Sequence, residues 1–302
     1  MNHSLKLFTV TALASALAAC GGSGGGDSGS TGTASFNLTD AAVDSVQEVN
    51  LTIVGLELQP ADGERISFEV NNPENLQNIN LLDLQDGAVE TLLADQELPS
   101  GSYEWIRLKL GDESTFSVID DNGGTNDLFV PSGNQRGLQT SGFVVPAGGS
   151  ANFTIDFDVR KSLINPPGLN SYLLKPVLRL VDNAEVGTIK GTIGQTLLAT
   201  CDNANAYAGG VYIFEGTDVT PDDLGSENEP LVVAPVDTEI GEYDYTAAFL
   251  PAGDYTVAYT CDMDERQDAE GNMIDENLDF TSGVNAEVIK GEETTVDLTA
   301  AD

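Results

Sequence analysis

From residue 34 onward the chain alternates short apolar and polar runs, broken by Gly, Pro, Asn and Asp. SFNLTD, EVNLTIVGLEL, WIRLKL, NFTIDFDV, YLLKPVLRLV, VYIFEG, YDYTAAF, YTVAYT and TTVDLT each repeat with period two and carry β-branched or aromatic residues, so they read as strands. No 12-residue window gives an amphipathic helix. The best helical stretch, INLLDLQDGAVETLLA over 79–94, is broken at Gly87 and reads as a short strand, a turn and one helical turn. Parity places Asp156, Asp158 and Arg160 on one face of their strand, with Phe153, Ile155, Phe157 and Val159 on the other. Lys175 and Arg179 alternate in the same way within 172–181. Cross-strand ion pairs account for these charges as well as a binding site does. The fold class is all-β.

The pattern divides between VDNAEVG and GTIKGTI, which gives two β-sandwich domains, 34–183 and 187–302. The halves share phrases. LPSGSYEWIRLKL (98–110) parallels LPAGDYTVAYTC (250–261): a Pro-x-Gly turn, a Tyr two residues on, then an alternating strand. VPAGGSANFTIDFDV (145–159) parallels VIKGEETTVDLTA (288–300), again a Gly turn before a strand. Pro fixes φ in such turns and Gly supplies positive φ.

Residues 1–19 differ from all of this. Lys6 supplies a positive start, and the apolar run 7–19 is too short to cross a bilayer but long enough for a secretory core. The segment closes on Leu17-Ala18-Ala19-Cys20, which resembles the bacterial lipobox; an ordinary small-residue signal site with an incidental cysteine is the alternative. The resemblance implies a lipoprotein signal peptide over 1–19 and acyl chains on Cys20 as the membrane anchor. Gly21 after the cysteine resembles sorting to the outer membrane of a Gram-negative envelope, facing either the periplasm or the cell surface. GGSGGGDSGSTGT, 21–33, completes a flexible linker over 20–33 whose root-mean-square reach is on the order of 20 Å.

Charge narrows the chemistry. Acids outnumber bases 49 to 12, for a formal net charge of −37, and residues 187–302 hold 25 acids and 3 bases. Nucleic acid is excluded as a generic partner, because phosphate binding needs clustered Lys and Arg. The sole histidine is His3, inside the removable segment, so Ser-His-Asp and Cys-His catalysis and His-ligated zinc fall away. Cys201 and Cys261 follow the anchor in an exported chain, which makes a disulfide the default and two free thiols the alternative. The acidic block from Asp262 onward offers Asp262, Asp264, Asp268, Glu270 and Asp275 as candidate calcium ligands, since calcium takes 6–8 oxygens. The EF-hand spacing is absent, and a solvated acidic loop is the alternative; no other cofactor is expected. Among so many acids a carboxylate pair at glycosidase spacing can also arise. Tyr103, Trp105 and Tyr172 could form a sugar-stacking surface or simply pack.

Several blocks occur in a specific order: LTDAAVDSVQEVNLTIVGLEL (38–58), INLLDLQDG (79–87), LPSGSYEWIRLKL (98–110), 129–163 and YLLKPVLRLV (172–181). Together they resemble a bacterial lipoprotein family catalogued as domain of unknown function 4382. Ala42 stands where such members often have Pro. The resemblance implies a secreted, lipid-anchored β domain and supplies no catalytic residues. The second half resembles, more loosely, the carboxypeptidase-regulatory or prealbumin-like β-sandwich, also called carbohydrate-binding-like, through GTIKGTI, LPAGDYTVAY and KGEETTVDLT. The expected function is a lipid-anchored envelope binding or structural module without catalysis, its ligand an envelope polysaccharide, a protein or a divalent cation. A carboxylate-dependent hydrolase acting on a glycan is the alternative.

Overall fold

The computed structural model describes residues 30–41, 46–71, 73–74, 76–131, 137–166, 168–169, 171–201, 207–238, 243–264 and 274–300. These residues are nearly all β, in several β units. Three sheets lie before residue 183. One has the order Leu178–Asp182, Ser150–Asp158, Thr31–Ala41, Glu90–Pro99. A second is centred on Gly101–Leu110 and Ile53–Pro60, and a third runs from Leu163–Ile164 to Ile79–Asn80 through Ser117–Asp120 and Val46–Leu51. The first unit is therefore more elaborate than a two-sheet sandwich, because short runs such as Thr125–Phe129 pair into a sheet of their own. Two sheets follow residue 185. Val186–Thr192 lies between Asp244–Pro251 and Glu293–Thr295; Gly210–Glu215 lies between Val232–Pro235 and Gly253–Thr260, with Val284–Val288 at the edge.

The shared phrases have a shared structural meaning. In the first unit the opening strand Thr31–Ala41 takes Glu90–Pro99 antiparallel on one side and Ser150–Asp158 parallel on the other. In the second, Val186–Thr192 takes Asp244–Pro251 antiparallel and Glu293–Thr295 parallel. Each antiparallel strand ends in the Pro-x-Gly-x-Tyr phrase, and each Tyr hydroxyl donates back to that Pro carbonyl: Tyr103 to Pro99 at 2.9 Å and Tyr255 to Pro251 at 2.7 Å. The bond satisfies a buried phenol and fixes the corner. Each parallel strand follows a positive-φ glycine, Gly148 (φ 65°) or Gly291 (φ 71°), whose N–H donates to the opening strand at Thr31 or Val186, 2.8 Å in both cases. In the Pro-x-Gly turns only Gly101 has positive φ; Gly253 does not need it.

The cores follow the alternation. Phe36, Phe143 and Phe153 meet in the first, with Tyr103 stacked on Phe143 at 4.5 Å between centroids. In the second, Ile189, Val211, Ile213, Val257 and Leu250 fill the space between the sheets. A separate cluster of Tyr212, Phe214, Leu224, Val233 and Ala258 covers the other face of that sheet, with Phe280 packed against it, so Gly210–Glu215 is buried on both sides.

Two expectations fail for local reasons. The strand ends at Asp158, whose Oδ1 accepts the Lys161 N–H at 2.9 Å and caps a helical turn, Val159–Ser162. Parity stops there, so Arg160 does not share the face of Asp156. YLLKPVLRLV is two strands, Ser171–Leu174 and Leu178–Asp182, in different sheets, because Pro176 lacks the N–H that a continuous ladder needs. Lys175 and Arg179 therefore do not alternate along one strand.

Candidate functional site

The helical turn Val159–Ser162 carries two cations from the first unit onto the second. Lys161 Nζ donates to the Pro230 carbonyl at 2.8 Å and pairs with Asp158 and Glu229. Arg160 is buried; its Nη1 donates to Tyr212 Oη at 3.4 Å. That hydroxyl donates to Asp264 Oδ2 at 2.9 Å, and the same oxygen accepts the Leu224 N–H at 3.0 Å. Burial raises the Asp264 pKa, while its hydrogen bonds and the Arg160 charge hold it down. Nearby, the outward face of the first sheet, at Thr39 and Asp156, is covered by Val232–Pro235 of the second unit. That cover explains why Asp156 is buried although it points away from the aromatic core; Arg179 neutralises it at 2.6 Å.

Beside this joint, carboxylate oxygens of Asp222, Asp223 and Asp275 lie within 4.8 Å of one another. Asp222 and Asp223 stand in the loop after Gly210–Glu215, and Asp275 in the segment that leads to Val284–Val288. Asp223 is fully buried. Its Oδ2 accepts the Glu276 N–H at 2.7 Å, and its Oδ1 has no partner. Burial raises its pKa, the Glu276 N–H opposes this, and Asp222 and Asp275 push it further up. Charges 4.8 Å apart repel by about 3 kcal/mol at an effective dielectric of about 20. Oxygen donors of this kind suit a hard cation such as calcium rather than a soft metal.

The sequence candidates separate on this framework. Asp275 joins the cluster and Asp264 lies in the adjoining joint. Asp262 does not join the cluster; its Oδ2 accepts the Asp279 N–H at 2.7 Å. Asp268, Glu270 and the lipobox Cys20 lie outside the described residues. Asp222 and Asp223 were not among the candidates; the Pro-Asp-Asp run at 221–223 is their only local signal. Cys201 and Cys261 are joined in a disulfide, with Cα atoms 5.3 Å apart, and Tyr259 Oη touches both sulfurs. Tyr103 and Tyr172 are buried, so they form no stacking surface with Trp105, whose ring is covered by Arg107 at 4.3 Å and Arg65 at 5.2 Å.

Asp86 lies in the crevice between the units. Burial, then Asp237 and Asp244 of the second unit, push its pKa up to about 6. The adjacent cavity, of about 30 Å³, has room for one water. A carboxyl with a raised folded pKa contributes its stability fully below the unfolded value of 3.8 and loses it as pH rises through about 6. Asp86 is flanked by both units yet its surface is exposed, so solvent screening limits this to at most about 1 kcal/mol. Asp86→Asn should therefore gain stability relative to the parent between pH 4 and 7. Denaturant midpoints across that range check this; a constant difference would remove Asp86 as the source.

Residues 31–176 match the model of the family described as Domain of unknown function (DUF4382). No curated protein matches the chain. Among solved structures, the Bacillus anthracis TIE protein is 13% identical with a TM-score of 0.20, over 88% of this chain and 34% of that one, so this chain spans about a third of it. GBS52, the minor pilin of Streptococcus agalactiae, is 11% identical with a TM-score of 0.22, over 88% and 94% of the two chains. BcpA, the major pilin subunit of Bacillus cereus, is 10% identical with a TM-score of 0.22, over 89% and 99%. At such scores none of these likenesses assigns a function to this chain. Among the described residues no helix is long and apolar enough to cross a membrane.

Proposed function

We propose that the chain is a lipid-anchored module of a Gram-negative outer membrane that binds or spaces envelope components and does not catalyse. The observation that carries this is the joint. Arg160 and Lys161, two of only twelve Lys and Arg residues in the chain, are committed to holding one β unit on the other. Arg179 is likewise committed to Asp156. Cations that could orient an anionic substrate are used instead at the contact between the two units. Acyl chains on Cys20 would hold the two units at the membrane, and the Gly-rich linker would let them range over the surface. The acidic second unit would then meet a protein or an envelope polysaccharide.

Two measurements test this reading. Wild-type chain should partition into the detergent phase of a membrane fraction, and Cys20→Ala should be released or remain unprocessed; equal partitioning would overturn the anchor. Residues 34–302 should capture a defined envelope component and turn over no member of a glycan panel. Asp86 has the raised pKa that a hydrolase would use for its acid. Turnover abolished by Asp86→Asn would replace the binding reading with the enzymatic one.

A further inference from the structure

We propose that Asp222, Asp223 and Asp275 form a calcium site that fastens the two long loops of the second unit to each other. The site stands whether or not the chain is anchored. Two observations point to it. The first is convergence: oxygens from three carboxylates, on loops more than fifty residues apart in sequence, lie within 4.8 Å of one another. The second is the state of Asp223. Its side chain is fully buried, yet Oδ1 has no hydrogen-bond partner. Native interiors rarely leave a buried polar oxygen unmatched.

What can satisfy that oxygen is decided by its neighbours. Asp222 Oδ1 already accepts the Asp223 N–H, and Asp223 Oδ2 already accepts the Glu276 N–H, so the backbone donors are placed on the other oxygens. Asp222 and Asp275 each bring a carboxylate oxygen within 4.8 Å of the Asp223 carboxylate. Asp264 Oδ1, in the carboxylate bonded to the next backbone N–H at Leu224, is buried without a partner as well. Arg160 is directed to Tyr212 and Asp264 rather than to this cluster. With 25 acids against 3 bases after residue 186, the second unit has little cation of its own to supply. A water could donate to Oδ1 but would leave the like charges unopposed. A divalent cation answers both needs. The three carboxylates keep four oxygens clear of those two backbone donors, and solvent at the exposed Asp275 completes a calcium shell. Magnesium keeps its own waters and demands stricter geometry, so it fits a preformed carboxylate cage less well.

The test uses the full chain, purified in detergent and stripped with chelator. Melting is followed in calcium chloride, magnesium chloride and sodium chloride at one ionic strength. Sites in extracellular modules bind calcium with Kd on the order of 0.1–1 mM. At 10 mM, mass action should then raise the melting temperature of the second unit by roughly 5–10 °C over sodium, and by less with magnesium. Asp223→Asn keeps an oxygen for the Glu276 N–H, and Asp275→Asn alters an exposed residue, so loss of the calcium shift in either is a binding effect. Both should lose most of it, and Glu287→Gln should keep it. Identical melting in the three salts would overturn the site, and an undiminished shift in both Asp variants would overturn the ligands.

Discussion

Replacing Cys201 and Cys261 together by alanine should destabilise the second unit by about 4 kcal/mol and the first by less, through the contacts the two units share. The bridge spans 60 residues. In the chain-entropy account, releasing a loop of that size costs about 4 kcal/mol through the unfolded ensemble. The bridge is well placed for that effect. Cys201 follows the helical turn Gln195–Leu198, which continues from the opening strand, and Cys261 follows Gly253–Thr260, a central strand of the other sheet. The bond thus ties together the two layers that enclose Ile189, Val211 and Val257. Tyr259 adds a local reason. It is buried, donates to the Ala208 carbonyl at 2.6 Å and lies against both sulfurs, so loss of the bond also loosens a core tyrosine. The two probes weight the units differently, since six of the eight tyrosines follow residue 185. The single tryptophan, Trp105, belongs to the first, while Tyr212, Tyr245 and Tyr259 are the largest fully buried side chains of the second. Denaturation followed by Trp105 fluorescence should shift its midpoint less than the transition followed by near-ultraviolet tyrosine dichroism. A tyrosine transition that does not move would defeat the expectation, as would two alkylatable thiols in natively exported protein.

Much of this fold is written locally. Period-two runs mark the strands, and the Pro-x-Gly-x-Tyr phrase marks corners at Tyr103 and Tyr255, because each phenol bonds only four residues upstream. Local signals also explain what could be misread. Pro176 divides one apparent strand, and Asp158 converts the end of another into a capped turn. The joint and the acidic cluster were not legible, for a different reason. Arg160 finds Tyr212 52 residues away, and Asp223 finds Glu276 53 residues away. No spacing rule links such pairs; they meet only after the sheets have placed their loops. The acid-rich block after Asp262 drew attention by density, whereas one of the two loops that converge contributes only the adjacent acids Asp222 and Asp223.

Arg160→Met should cost about 1.5–3 kcal/mol, the range for losing a hydrogen bond from a charged group, since Arg160 reaches Asp264 through the Tyr212 hydroxyl. The cost comes chiefly from what remains. Asp264 would keep Tyr212 and Leu224 as donors, but the guanidinium charge that favours its ionised form would be gone. Burial would then drive its pKa higher still. Methionine refills most of the apolar volume of the arginine stem, so the loss reads as charge rather than cavity. Two consequences separate this account from simple misfolding. Asp264→Asn alone should also be destabilising, but combined with Arg160→Met it should restore part of the loss, giving a coupling energy of about 1–3 kcal/mol in a double-mutant cycle. The joint should loosen as well. With Arg160 in place, Trp105 fluorescence and tyrosine dichroism should report unfolding transitions that lie close together, because opening either unit exposes the same buried contacts. In Arg160→Met the transitions should move apart, while Lys161→Met, which removes a half-buried amine at the edge of the same turn, should separate them less. A double mutant whose loss equals the sum of its singles would show that Arg160 and Asp264 do not act as a pair, and would leave the junction between the units to Lys161 and the apolar cover at Val232–Pro235.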